Sequence, residues 1–364
     1  MKDKKQWNIG WGTVSTCNMK CAFCYSKSKR NIADDLELRD WISFVDNNWE
    51  YINTINYGTG ENSLSNEWFK LIEYIRNKYP NIRQAVTTNG YFGHLIKKDY
   101  EKKQIVLKSI DEIDVSLDFS KESKHNNFRG QSHAYEWAME TLSFCKDNNI
   151  SPTIVFLGSK VNVYKENLKG LFEIAKKYNA ILRMNLYRPT EGVNEFTKKF
   201  ILPAKDLVDI LRWIDENYTV LSISDALYSS LLTDSFESDP SGYDSLRILP
   251  NGDITPSTYL IKKEYIVGNI SEKNILGRLV NEDIIGKVIH DIIPVECKNC
   301  EYSGTCKGGV YDRRYLWNKT LEKKDPYCKY EIGNKPWPKL NLAKRNFESV
   351  HHGYLPTMFF SPEK

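Results

Sequence analysis

The sequence predicts an α/β protein: a partial (β/α)6 barrel over residues 1–232, a small cysteine-bearing domain over 233–335 and a C-terminal extension over 336–364. Three observations carry that prediction. From Trp7 to about Tyr187, short apolar runs alternate with helix-period patterns, as in a parallel sheet with helices outside it. Near Thr233 the chain passes into DSFESDPSGYDS, a polar stretch with Pro and Gly that reads as a linker. The cysteines also divide there, with Cys17, Cys21, Cys24 and Cys145 before the linker and Cys297, Cys300, Cys306 and Cys328 after it.

Strands are expected at Ile9–Val14, Ile52–Tyr57, Ala85–Thr88, Ile113–Leu117, Thr153–Leu157 and Leu182–Leu186. Between them, Trp68, Leu71, Ile72 and Ile75 give one helix its apolar stripe, and Leu168, Leu171, Phe172 and Ala175 another. Leu207, Ile210, Leu211 and Ile214 mark the helix that ends the region. About six strand–helix units make an incomplete barrel, whose functional loops lie at the C-terminal ends of its strands. Beyond the linker, PNGD (Pro250–Asp253) signals a turn. NKPWPKL and HHGYLPTMFF read as an irregular extension. The second either folds back as a lid, bringing His351, His352 or Tyr354 to a substrate, or lies docked on the surface.

A chain of 364 residues, 41% hydrophobic and 27% charged, has room for a sizeable core. A net charge of +4, without an added basic module, argues against a nucleic-acid partner. From Lys329 onward six Lys/Arg face three acids, a small excess suited to a solvated tail. The start, MKDKKQWNIGWG, has no apolar run behind it and so is not a secretory signal, and no stretch reaches membrane-span length. A cytoplasmic protein without a membrane partner is expected, and there clustered cysteines are metal or redox sites rather than disulfides.

Cys17, Cys21 and Cys24 have the spacing C-x3-C-x2-C directly after the first strand. Three thiolates hold three irons of a cubic iron–sulfur cluster and leave the fourth open. A zinc knuckle borrowing a fourth ligand is the bland alternative. With Phe23 before the last cysteine, the stretch resembles the radical S-adenosylmethionine (SAM) enzymes, whose fold is a partial TIM-like barrel. In that family the amino and carboxylate groups of SAM chelate the open iron. One electron then cleaves SAM to methionine and a 5′-deoxyadenosyl radical, which abstracts hydrogen from a substrate.

Further stretches resemble that family in chain order. YGTGEN (Tyr57–Asn62) is similar to its Gly-Gly-Glu-Pro motif, keeping Gly60 and Glu61 but carrying Thr59 and Asn62; the backbone there and Glu61 are implied to receive the SAM amino group. Read without the family, it is a poor dinucleotide fingerprint or a simple turn. TTNG (Thr87–Gly90) supplies Asn89, and DVSLDFSKESKHNNFRG (Asp114–Gly130) resembles Ser-x-Asp-Gly, His and Arg-Gly, with Phe119 in place of the glycine. Ser116 is implied to bind the ribose, Arg129 the SAM carboxylate and Leu186 the adenine. A surface ion pair for Arg129 and a core position for Leu186 are the structural alternatives.

Cys297, Cys300, Cys306 and Cys328 form C-x2-C-x5-C-x21-C, a closed set that suits zinc or a fully ligated cluster. The region resembles the SPASM/twitch domains of radical SAM enzymes, which implies one auxiliary [4Fe–4S] cluster. The ligands of another are missing: Ser257 stands at a cysteine position in LPNGDITPS, and Val310 at a further one. Cys145, on a helix, reads as a buried inert thiol.

The implied activity is oxidative modification of a ribosomally made peptide, such as a crosslink. The alternative is dehydrogenation or epimerisation of a small carbohydrate or aminoglycoside-type substrate in natural-product biosynthesis. A flavodoxin- or ferredoxin-type reductant is implied. Cys17 lies too near the start for a preceding recognition domain, so a separate peptide-recognition protein is a further expected partner. Epimerisation needs a thiol beside the substrate, and Cys145 is the one cysteine outside both sets.

Overall fold

The computed structural model describes residues 5–29, 36–286, 289, 292–333, 336–343 and 348–364. Met1–Lys4 of the opening segment, and Asn334 and Lys335 of NKPWPKL, lie outside the described residues. The strands β1 (Trp7–Trp11), β2 (Ile52–Tyr57), β3 (Arg83–Thr88), β4 (Glu112–Ser116), β5 (Thr153–Gly158) and β6 (Ile181–Leu186) pair in chain order, all parallel. The crossovers carry the helices Leu38–Asn48, Asn66–Lys78, Tyr100–Ser109, Ala134–Asp147 and Lys165–Lys177. This is the expected partial barrel, with the first strand displaced toward Trp7.

Side chains alternate across the sheet, and the alternation decides where the site lies. On β4, Ile113 and Val115 join the apolar core, while Asp114 and Ser116 turn the other way; on β6, Leu182 and Met184 join the core, while Arg183 and Asn185 turn into a cleft. Helix stripes complete the outer layer: Trp68, Leu71, Ile72 and Ile75 are all fully buried. A parallel sheet covered by helices normally reads as continuous apolar runs. Polar residues at every second position mark a face that is lined, not filled.

The sheet runs on beyond six strands. β7 (Thr219–Ile223), β8 (Ser245–Ile248), β9 (Asp253–Thr255), β10 (Gly268–Asn269) and β11 (Met358–Ser361) extend it to the order β10-β9-β8-β1-β2-β3-β4-β5-β6-β11-β7. β8 lies parallel to β1 and turns back into β9 at the predicted PNGD turn, where Gly252 takes φ +85°. Strands from all three predicted segments therefore share one sheet.

The C-terminal stretch corrects the expectation of an irregular extension. Met358–Ser361 inserts between β6 and β7, antiparallel to both. Four residues with one apolar run give little periodicity, and their partners lie more than a hundred residues away in sequence, so the strand was not legible. Phe360, fully buried against Leu182 and Val220, anchors it. Phe360→Ala is expected to cost about 3–5 kcal/mol of stability, measured by guanidinium denaturation.

Candidate active site

The loop after β1 carries Cys17, Cys21 and Cys24, none of them in a disulfide, and all three line one cleft. The loop is held by backbone bonds and by neighbours rather than by regular structure. Cys24 N donates to Cys21 O at 3.2 Å, and Glu61 N to Thr16 O at 2.9 Å. Asn89 Nδ2 lies 3.7 Å from Cys17 Sγ and donates to Asn18 Oδ1 at 2.8 Å. Phe23 stacks on Phe128 at 4.2 Å, and the Arg129 guanidinium lies over the Phe23 ring, 5.3 Å from its centroid.

Gly60, Asn89, Ser116, Arg129 and Leu186 line the same cleft, so the structure brings these sequence-predicted positions together. Gly60 has φ +64°, and a Cβ there would collide with the carbonyl oxygens of Val14 and Thr16. Only glycine lets the β2 loop pack this closely on the cysteine loop. Thr59 beside it takes φ +115°, a strained conformation for a β-branched residue, at the position where the family motif has glycine.

Glu61 is placed differently from the other predicted contacts. Its carboxylate is 1% exposed and accepts from Ser63 Oγ at 2.7 Å, Thr88 Oγ1 at 3.0 Å and Asn89 N at 2.8 Å. Burial raises its pKa against the pull of those bonds. Glu61 thus ties the β2 loop to the end of β3, and its oxygens are engaged within the protein.

Arg129 is oriented by Asp118, which takes Nε at 2.6 Å, and its side chain remains 12% exposed toward the cleft. Asp118 is itself fixed to β5 by Leu157 N at 2.8 Å, and its carbonyl accepts from Asn167 Nδ2 at 2.9 Å. Phe119, where the motif has glycine, is buried and packs edge-on against Phe128 at 5.3 Å.

Several cleft residues were missed in the sequence: Tyr25, Asn56, Arg183, Arg188, Arg247 and Tyr259. The available signal was the polar residue inside an otherwise apolar strand, as in Ser245-Leu246-Arg247-Ile248. Deep in the barrel, Asp114 pairs with Arg183 at 2.6 Å and His351 at 3.0 Å. Burial pushes the Asp114 carboxyl up to about 7, and keeps His351 well below its ordinary value. Of the tail residues, Tyr354 lines the cleft, His351 is buried beneath it, and His352 pairs with Glu237 at 2.9 Å.

Cys297, Cys300, Cys306 and Cys328 line a separate pocket with Leu227, Leu231 and Tyr302. Burial pushes the Cys297 thiol up to about 11 and raises Cys306 and Cys328 as well, so these thiols ionise when bound to metal. Among the described residues, no three His, Cys, Asp or Glu side chains gather tightly enough for a single metal ion. Each thiolate of a [4Fe–4S] cluster binds a different iron, so the donors around a cluster stand wider than those around zinc. Both sets are compatible with such a cluster, three thiols lining one cleft and four lining another. Cys145 is fully buried in the core, away from both, with its thiol pushed up to about 12 by burial.

Residues 12–186 match the Radical SAM superfamily. The chain carries a radical SAM domain. A radical SAM domain binds a [4Fe–4S] cluster and SAM, and the matched residues include Cys17, Cys21 and Cys24. The chain is 27% identical over 180 residues to the Fe-coproporphyrin III synthase of Methanosarcina barkeri, covering 48% of this chain and 42% of that one. It is 22% identical over 279 residues to the antilisterial bacteriocin subtilosin biosynthesis protein AlbA of Bacillus subtilis, covering 70% of this chain and 55% of that one. The chain thus spans about half the length of these two curated relatives. Its fold is similar to that of Streptococcus suis SuiB bound to the precursor peptide SuiA, with TM-score 0.69, 17% identity, and coverage of 90% of this chain and 76% of SuiB. That likeness extends past the radical SAM domain into the region of the second cysteine set. Among the described residues, no helix is long and apolar enough to cross a membrane.

Proposed function

We propose that this protein is a radical SAM enzyme that oxidatively modifies a peptide. One observation carries the reading: Cys17, Cys21 and Cys24, with Gly60, Asn89, Ser116, Arg129 and Leu186, line one cleft, and four further cysteines line a pocket elsewhere in the chain. When bound, the [4Fe–4S] cluster on Cys17, Cys21 and Cys24 supplies the electron that cleaves SAM to methionine and a 5′-deoxyadenosyl radical. The chain's own residues position the cofactor. Arg129, held by Asp118, presents a planar cation to the SAM carboxylate. Gly60 admits close backbone approach, and Ser116 and Leu186 border the nucleoside side.

Cys297, Cys300, Cys306 and Cys328 would hold an auxiliary cluster with every iron ligated by protein, which suits electron transfer. Oxidation of the substrate fits this arrangement better than thiol-dependent epimerisation. Among the described residues, the cysteines lining the cleft are those of the first set, and Cys145 is in the core. A peptide substrate is supported by AlbA, a bacteriocin biosynthesis protein, and by the peptide-bound SuiB structure. A flavodoxin- or ferredoxin-type reductant and a separate peptide-recognition protein remain part of this proposal.

The test is anaerobic reconstitution with iron and sulfide, followed by incubation with SAM, dithionite and peptides encoded beside the gene. Mass spectrometry should show 5′-deoxyadenosine together with a peptide lighter by two hydrogens. A holoprotein that makes no 5′-deoxyadenosine under any condition would overturn the enzymatic reading. Turnover confined to non-peptide substrates would overturn the peptide assignment.

A further inference from the structure

Four arginines line the reaction cleft: Arg129, Arg183, Arg188 and Arg247. Three are matched to buried acids. Arg129 pairs with Asp118 at 2.6 Å, Arg183 with Asp114 at 2.6 Å and Arg188 with Asp312 at 2.8 Å. Arg247, on β8, is 1% exposed, and among the described residues no carboxylate pairs with it. A guanidinium stays charged at physiological pH, and a buried charge without a counterion is strongly unfavourable.

The surroundings of Arg247 are hydroxyls and a carbonyl. Nη1 donates to Tyr354 Oη at 3.3 Å, and Nη2 to Tyr25 Oη at 3.5 Å, Gly58 O and Thr59 Oγ1. Nε has no partner. Thr258 Oγ1 lies 2.6 Å from Tyr354 Oη, and Tyr259 packs edge-on against Tyr25 at 5.7 Å. These groups come from four parts of the chain: the cysteine loop, the β2 loop, the segment after β9 and the C-terminal tail. Together they form one wall of the cleft with a fixed positive charge and several hydroxyl groups. Such a wall is complementary to an anion that accepts hydrogen bonds from both a guanidinium and phenols.

We propose that Arg247 is the seat for a carboxylate of the substrate, with Tyr25, Thr258 and Tyr354 hydroxyls completing the site. This rests on the radical SAM reading and names the substrate class of that cleft: a molecule that presents an acidic group. The cofactor's own carboxylate is assigned elsewhere, to Arg129 after β4. In the sheet, β1, β2 and β3 stand between β4 and β8. An acidic peptide side chain and a small carboxylic acid share the chemistry that Arg247 recognises.

The experiment is calorimetric titration of SAM-loaded, reconstituted holoprotein with four probes: blocked Gly-Glu-Gly, blocked Gly-Gln-Gly, glutarate and glutaramide. Each acid is expected to bind about tenfold or more tightly than its amide. Arg247→Gln should abolish that discrimination, and Arg247→Lys should keep part of it. If the glutamine variant does not fold, the lysine variant and Tyr354→Phe, with a reduced preference, carry the test. Tighter binding of the acidic peptide than of glutarate identifies a peptide as the source of the carboxylate, and equal binding identifies a small acid. Equal affinity of wild type for acids and amides overturns the proposal. So does a loss of SAM affinity in Arg247→Gln that matches its loss of acid binding, since Arg247 would then serve the cofactor. Production of 5′-deoxyadenosine by the wild type is measured separately. Failure of the radical reading and failure of the carboxylate seat therefore appear in different assays.

Discussion

Replacing Cys17, Cys21 and Cys24 together with alanine is expected to reduce bound iron from about eight to about four atoms per chain and to abolish 5′-deoxyadenosine formation. The three thiols lie on one short loop, and each would hold a different iron, so no other side chain replaces them. The four-cysteine cavity is formed by a different part of the chain, so its cluster should survive in this variant. Iron and sulfide assay, with the electron paramagnetic resonance of the reduced protein, reads the two sites apart. Full iron content in the triple variant would mean that the loop holds no cluster.

Arg313→Ala is expected to destabilise the protein by about 3–5 kcal/mol and to cost it the auxiliary cluster as well. Arg313 is fully buried between two acids, with Nη1 donating to Asp225 at 2.6 Å and Nε to Asp325 at 2.7 Å. Burial alone would raise the Asp225 carboxyl, but Arg313 overrides it and holds it below the ordinary value. Without the guanidinium, two carboxylates remain buried and uncompensated. The same acids hold the structure around the cysteines. Asp225 caps the helix Ala226–Leu232, whose Leu227 and Leu231 face the four-cysteine cavity. Asp325 accepts from Val310 N at 3.1 Å, just past Cys306, and its carbonyl accepts from Cys328 N at 2.9 Å. Denaturation of the variant should therefore begin at a lower denaturant concentration, and its reconstituted iron should fall toward about four. Arg313→Lys keeps the charge but loses the fork, and should fall between the two.

Both variants concern residues whose legibility in the sequence differed. The cysteines stood out because their chemistry is local: three on one loop, at fixed spacing, after a strand. Arg313 did not, because its partner Asp225 lies 88 residues away and becomes a neighbour only when the helix after β7 packs on the cluster region. Arg183 and Arg247 were hidden for the same reason. A single arginine in an apolar strand has no meaning until the inner face of the sheet is known.

Glu61 shows a finer limit. The YGTGEN motif was visible, and Gly60 packs where close backbone approach is needed. The direction of the carboxylate depends on Ser63, Thr88 and Asn89, which surround it only in the folded chain. The tail shows the coarsest limit, since β11 exists only because β6 and β7 leave a gap of one strand between them.

By itself, the sequence determined the six parallel strands, the helices between them, the open and closed cysteine sets and the family they indicate. The strands, helices and cysteine sets rest on periodicity and on ligand spacing, and the family on motifs the chain resembles, all written into neighbouring residues. The tertiary structure alone decided that one sheet would join all three segments, that Tyr354 would reach the cleft, and that Arg247 would be buried there with no acid beside it among the described residues. Those depend on which distant residues share a wall, and on the cost of leaving a charge among them unpaired.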